Sequence, residues 1–243
     1  MKRTLIFLVF FLAVAAGLGW LLYVGVIRLN NPGRSAYPIR GIDISHHQGE
    51  IDWQSVRTTD VSFVFMKATE GADFRDPRFE ENWFAARKNG IVRGAYHYFT
   101  FCTPGREQAE NFKATVPADE ETLPPAVDVE FSGNCRARPA IETIRRWLGD
   151  YLLEIESEYG RKPVLYVTPN SFDRIVAGNF PGYPLWVHSV YFRPSRHVRD
   201  DWIFWQYADR GRINGIKGFV DLNVFNGSPD RFRSFLEHQA DQR

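Results

Sequence analysis

Five short apolar runs, each followed by a stretch of helical spacing, precede three more runs with no convincing amphipathic helix between them. Strands that alternate with helices build a parallel sheet, and eight strands can close on themselves. The predicted fold class is therefore α/β: a modified TIM-like barrel, (β/α)5 followed by three further strands. A third observation adds an N-terminal transmembrane helix: the run Leu5 to Ile27 carries no charge and follows Lys2 and Arg3, and about 20 apolar residues suffice to span a bilayer.

The elements follow in chain order. Residues 1–4 read as a short tail, 5–27 as a transmembrane signal-anchor, 28–38 as a polar linker, and 39–243 as the barrel domain. The alternative for the apolar run is a cleaved signal, with Ala13-Val14-Ala15 as a small-residue site. The run continues well past that site, which favours the anchor. Arg28, Arg34 and Arg40 compete with Lys2 and Arg3 for the cytoplasmic side. The expected location is the bacterial inner membrane, with the domain facing the periplasm or cell exterior; secretion after cleavage is the alternative.

In the domain, Ile39–Ile44, Val61–Ala68, Gly94–Phe99, Ala126–Phe131 and Val164–Val167 read as the first five strands, rich in branched and aromatic residues. Helices are expected over Pro77–Asn89, Gly105–Thr115, Pro139–Tyr159 and near Ser171–Ala177, with Gly90 and Gly160 as stops. Leu185–Val190, Ile203–Tyr207 and Val220–Phe225 supply the last three strands.

Composition narrows the function. Aromatic residues make up 15% of the chain, with 7 Trp and 20 Phe, which suits a large core and also a groove that grips sugars. The net charge of +1 hides an asymmetry: Lys2, Arg3, Arg28, Arg34 and Arg40 lie in the first forty residues, where no acid occurs. The domain is thus mildly acidic, and nucleic acid is not an expected partner. Cys102 and Cys135 both follow expected strands. They could pair in an oxidising compartment or be two unrelated thiols.

Active sites of such barrels lie at the C-terminal ends of the strands. Polar residues collect at those ends: Asp43, then Lys67 and Glu70, then Tyr96, His97 and Tyr98, then Asp128 and Glu130, then Tyr166, Trp186, His188, Gln206 and Asp221. Asp128 and Glu130 stand two apart, so they share a face, separated by roughly 6.6 Å along a strand. In a partly dry mouth one carboxyl stays protonated while its neighbour ionises. Glycosidic cleavage needs that division: a proton for the leaving oxygen and negative charge near an oxocarbenium-like centre. By itself, Asp-x-Glu is a weak signal, more often a strand end whose acids cap helices or pair with bases. Asp43, His46, His47, Asp128 and Glu130 could ligate a metal, but no zinc-like cysteine spacing and no His-Glu-x-x-His run occurs. No metal and no cofactor are expected, and no Gly-x-Ser-x-Gly elbow supports a serine hydrolase.

Larger blocks give these residues a context. They are Gly41-Ile42-Asp43-Ile44-Ser45 with Gln48 and Ile51-Asp52-Trp53, then Phe65-Met66-Lys67-Ala68-Thr69-Glu70-Gly71, then Gly94-Ala95-Tyr96-His97-Tyr98-Phe99. Ala126-Val127-Asp128-Val129-Glu130, Pro163-Val164-Leu165-Tyr166, Trp205-Gln206-Tyr207 and Val220-Asp221-Leu222-Asn223 complete the set. From Gly41 to Gly227 the chain resembles glycoside hydrolase family 25, the Chalaropsis-type lysozymes or N-acetylmuramidases. The resemblance implies a barrel of five β/α units and three further strands. It also implies hydrolysis of the β-1,4 bond between N-acetylmuramic acid and N-acetylglucosamine in peptidoglycan. It implies Glu130 as general acid, with Asp128 stabilising charge or orienting the substrate's N-acetyl group. Asp43 and Asp221 match the family's other catalytic-site acids, and Tyr96, Tyr166, Trp186 and Gln206 its sugar-binding wall. The expected partners are peptidoglycan strands and, through the N-terminal helix, a membrane; a monomer is expected. One departure stands out: in Trp186-Val187-His188-Ser189-Val190, His188 occupies a place where the family often has a small residue. Two alternatives stay open: a non-catalytic glycan-binding protein on the same barrel, and a hydrolase of a related N-acetylated glycan such as chitin.

Overall fold

A computed structural model describes residues 2–119, 121–137, 139–194, 198 and 202–237. Met1 of the expected tail and residues 238–243 of the expected domain lie outside the described residues. The chain opens with helix α1 (Lys2–Tyr23), which buries none of its residues and is long and apolar enough to cross a membrane. Among the described residues nine strands follow: β1 (Arg40–Ile44), β2 (Val61–Glu70), β3 (Phe74–Arg75), β4 (Val92–Tyr98), β5 (Ala126–Val129), β6 (Val164–Val167), β7 (Leu185–His188), β8 (Trp202–Gly211) and β9 (Val220–Phe225). Between and after them lie α2 (Trp53–Arg57), α3 (Phe79–Lys88), α4 (Gly105–Lys113), α5 (Ile141–Tyr159), α6 (Pro169–Ser171) and α7 (Pro229–Glu237).

The sheet closes in the order β1-β2-β4-β5-β6-β7-β8-β9 and back to β1, with β3 a short hairpin arm on β2. Every neighbouring pair from β1 to β8 is parallel. β9 is antiparallel to both β8 and β1. This is the expected (β/α)5 barrel with three further strands, and its final strand is reversed. The reversal matters for the site. Parallel strands deliver their last residues to the mouth, whereas β9 delivers its first, which places Asp221 opposite Asp43.

Strand alternation divides each strand between two cores. On β2, Val64 and Met66 pack outward with the helices, while Phe63 and Phe65 fill the lumen. Both faces are apolar, as a helix-covered parallel sheet requires. Inside, Phe63 lies 5.1 Å from Phe204, and Phe65 stacks on Trp186 at 4.5 Å. Glycine makes room for these rings: a Cβ on Gly41 would stand 2.4 Å from the Phe63 ring. The lumen end away from the mouth is closed by α7, whose Phe232 meets Phe225 at 5.0 Å.

Three elements lie beyond the sequence reading. α2 is a single turn nucleated by Asp52, whose carboxylate accepts from the amides of Gln54 and Ser55. β3 is two residues long, too short for a periodicity. α7 is mostly polar and shows only Phe232, Phe235 and Leu236 at i, i+3 and i+4; the barrel end gives these side chains something to pack on.

Candidate active site

The mouth holds a cleft of about 360 Å³ bordered by Asp43, Asp128, Glu130 and Asp221, and by Tyr96, Tyr166, Trp186 and Gln206. All eight of the residues singled out from the sequence therefore meet in one place, although they span seven strands or strand ends. Lys67, Tyr98 and His188 also border the cleft.

The carboxyl groups are held differently. Asp43 is buried, and its Oδ2 accepts from Gln206 Nε2 at 2.8 Å and Asn223 Nδ2 at 2.7 Å. Gln206 is fixed in turn, because its Oε1 accepts from the Tyr166 hydroxyl at 2.9 Å. Asn223 Oδ1 accepts from Trp186 Nε1 at 2.8 Å. One network thus joins five strands, β1, β6, β7, β8 and β9, beneath the cleft. By contrast, Asp128 Oδ1 is buried without a hydrogen-bond partner among the described residues.

Glu130 stands one residue past β5, and the loop behind it is tied down. Asn134 Nδ2 donates to the Glu130 carbonyl at 2.9 Å, and Asn134 Oδ1 accepts from the Phe101 amide at 2.7 Å. Tyr98 donates to the Ser132 carbonyl at 2.5 Å. Cys102 and Cys135 form a disulfide that joins this loop to the one after β4. Of the two readings left open for the cysteines, the structure takes the paired one.

Crowding four acids in a partly dry mouth shifts their protonation. Burial pushes Glu130 up to about 7, helped by the Asp43 charge and opposed by Lys67. Burial raises Asp43 to about 6 against the stabilising amides of Asn223 and Gln206. Asp128 is raised well above the usual carboxylate range by burial and then by Glu130. Asp221 is raised likewise, by burial and then by Asp43. Bringing four negative charges together in low dielectric is too costly, so the cleft retains protons near neutral pH.

Several residues play parts the sequence did not assign. Trp186 is only 1% exposed. It floors the cleft between Phe65 and the Tyr166 ring, which meets it edge-on at 4.8 Å, so it offers no broad face for stacking. Asn223 was absent from the expected site, although it stands two residues from Asp221 on the same strand face. Lys67 pairs with Glu70 at 2.5 Å and lies over the Tyr98 ring at 4.9 Å, so Glu70 serves to hold the lysine. Between Tyr96 and Tyr98, His97 points the other way. It is buried between Thr69 Oγ1 at 2.7 Å and Gln108 Oε1 at 3.0 Å, stacked on Tyr151. Burial lowers its pKa to about 3, so it stays neutral. His46 is bound to Asp76 at 2.8 Å. His188 has its pKa lowered by burial, opposed by Asp209.

A barrel with a carboxylate pair at one mouth, a carboxyl poised to titrate near neutrality and a polar cleft open to an extended ligand is the framework of a glycoside hydrolase. Comparison with known proteins gives the family. The glycosyl hydrolases family 25 profile matches residues 42–216, and the chain belongs to that family. The chain is 38% identical over 208 residues to the uncharacterized protein YegX of Escherichia coli K12, covering 84% of this chain and 75% of that one. It is 35% identical over 216 residues to lysozyme M1 of Streptomyces globisporus, covering 83% and 72%. Among solved structures, a family 25 glycosyl hydrolase from Bacillus anthracis superposes with a TM-score of 0.79 at 36% identity, covering 86% of this chain and 97% of that one.

Proposed function

We propose that the domain is a lysozyme that hydrolyses the β-1,4 bond between N-acetylmuramic acid and N-acetylglucosamine in peptidoglycan, with Glu130 as the general acid. The observation that carries the assignment of Glu130 is its position: a carboxyl at the mouth, one residue past β5, with its pKa pushed up to about 7. A group so tuned keeps a proton for the leaving oxygen at the pH where it works. Asp128, two residues back, orients the N-acetyl group of the sugar whose bond breaks. Its buried, unpartnered Oδ1 is an acceptor for the acetamido N–H. The acetamido oxygen then attacks the anomeric carbon while Glu130 protonates the departing oxygen. Water resolves the resulting ring and returns the proton to Glu130. Asp43 supplies negative potential beneath the oxocarbenium-like centre, with Asp221 as its protonated neighbour; the Gln206 and Asn223 amides fix Asp43 there. Tyr96, Tyr166 and Gln206 shape the wall that receives the sugar, and Trp186 supports it from below.

We also propose that the apolar run 5–27, most of which lies in α1, is an uncleaved anchor, that residues 28–38 connect it to the domain, and that the domain works as a monomer on the outer side of the inner membrane. The test of catalysis is digestion of purified peptidoglycan by wild type and Glu130→Gln, with mass analysis of the products. Wild type should release muropeptides with a new muramic acid reducing end, and the variant should not. Equal activity of the two proteins would remove Glu130 from the role. Faster cleavage of chitin oligomers than of peptidoglycan would reassign the substrate.

A further inference from the structure

Residues 28–37 do not hang free between α1 and the barrel. Tyr37 packs 6.0 Å from both Trp202 and Trp205, and Asn30 donates to the Ser189 carbonyl at 3.1 Å. Beneath this strap, on the outer face of β8, β9 and β1, is a cavity of about 370 Å³. Four arginines line it, Arg28, Arg34, Arg40 and Arg212, and among its described lining residues the one acid is Asp60. Asp60 pairs with Arg34 at 2.6 Å and lies 3.6 Å from Arg40 Nε, too far for a hydrogen bond. Arg40 spends other donors on the Tyr207 hydroxyl and the Pro32 carbonyl. The Nε atoms of Arg28 and Arg40 are both buried without a hydrogen-bond partner among the described residues. Buried guanidinium donors are costly to leave unmet. An anion bearing several acceptor oxygens answers both the charge and the donors.

A second cavity, of about 340 Å³, adjoins the first and shares Arg28 and Tyr207 with it. Its character is different: Gly19, Leu22 and Tyr23 from the end of α1, and Ile27 just beyond it, face Val190 and Tyr191 of the barrel. The helix end is docked at this point. Arg210 donates to the Tyr23 carbonyl at 2.7 Å and covers its ring at 4.7 Å. Gly25, at φ +72°, lies so close that a Cβ would stand 2.1 Å from the Arg210 carbonyl oxygen. Trp20, Tyr23, Tyr191 and Phe192 are exposed around it, the residue types that gather at a membrane–water boundary. A cationic cavity and an apolar cavity thus meet where the helix reaches the barrel, and together they match a phosphate followed by the start of an acyl chain.

We propose that the arginine-lined cavity binds the phosphate of an anionic phospholipid from the leaflet in which α1 ends, with the lipid's glycerol and acyl portion in the adjoining apolar cavity. The proposal rests on the reading of α1 as a retained anchor and is independent of the catalytic assignment. Its consequence is orientation. Asp209 borders both the apolar cavity and the catalytic cleft, so a lipid held there presents the cleft beside the bilayer.

The experiment uses the full chain, extracted in neutral detergent and offered equal amounts of phosphatidylglycerol and phosphatidylcholine. After repurification the retained lipids are quantified by mass spectrometry. Wild type should favour phosphatidylglycerol by at least about fivefold, the effect of one surface arginine on an anionic lipid. Arg28→Gln combined with Arg212→Gln should abolish the preference while leaving cleavage of soluble peptidoglycan fragments as in wild type. If the double variant loses that cleavage, Arg212→Gln alone carries the test, since the Arg212 guanidinium rests over the Phe219 ring at 4.9 Å at the domain surface. Equal retention of both lipids, or a preference that survives the substitutions, overturns the proposal. Displacement of the bound lipid by millimolar inorganic phosphate also overturns it, by making the cavity a site for soluble anions. The anchor reading is checked separately: recovery of the mature protein without residues 2–23 from cells would defeat that reading, whatever the lipid preference of the full chain.

Discussion

On β2, Phe63 and Phe65 fill the lumen near its closed end, while Lys67, two residues further along the same face, reaches the open cleft. The same contrast runs around the barrel. At the closed end, Phe204, Phe225 and Phe232 pack ring against ring, with no polar group to satisfy. At the open end, four carboxyl groups share one cleft, all with pKa values raised by burial and most of them raised further by one another. One end contributes stability through buried apolar area. The other forgoes stability to hold charge where a transition state can use it. Function in this molecule is concentrated at the end that the rest of the fold must carry.

The largest expected effect comes from the open end. Glu130→Gln should lower kcat/KM by about 10³-fold, the middle of the range for a lost general acid, with the folded structure retained. Circular dichroism alongside the peptidoglycan digest distinguishes this from unfolding. The pH profile of wild type should show kcat/KM falling as pH rises through about 7, where Glu130 loses its proton. A flat profile up to pH 9 would contradict a titrating acid at this position.

The next effect belongs to the closed end. Phe232→Ala removes a ring that meets Phe63, Phe225 and the lumen floor. It should cost about 3 kcal/mol in urea unfolding, while specific activity per folded molecule stays within about twofold of wild type. A drop in activity matching that of Glu130→Gln would mean that the two ends are mechanically coupled.

The smallest effect reverses the usual sign. The folded pKa of Glu130, about 7, lies above its ordinary value of 4.5. The folded state therefore binds more protons than the unfolded state between those values, and stability falls as pH rises through them. Glu130→Gln removes that dependence. The variant should unfold at a higher temperature than wild type at pH 8, by about 4 °C. The gain should vanish at pH 4, where the carboxyl is protonated in both states. A variant less stable than wild type at pH 8 would show that Glu130 is paired more favourably than its surroundings indicate.

Much of the barrel was legible because strands of a closed parallel sheet announce themselves as apolar runs such as Val61–Ala68, bounded by glycine, proline and polar residues. The i, i+2 spacing of Asp128 and Glu130 was legible for the same reason: alternation is a property of any extended strand. What escaped was set by neighbours distant in sequence. His97 and Tyr96 look alike as polar residues near a strand end, yet one is buried between Thr69 and Gln108 and the other faces the cleft. Trp186 reads from the sequence as part of the sugar-binding wall, but Phe65 stacks on it and Tyr166 meets it edge-on, which makes it a floor. α7 carries too few apolar residues to stand out before the open barrel end is there to receive them.

The sequence by itself determined the strand and helix alternation, the apolar N-terminal helix and the residue types that gather at the strand ends, because these follow from local periodicity and chain chemistry. Tertiary structure alone decided the reversal of β9, which brings Asp221 against Asp43, and the grip of Asn223 on both Asp43 and Trp186. It also decided the raised pKa values of the carboxyl groups. Those depend on dielectric and on the distance between charges, and neither exists until the barrel has closed around them.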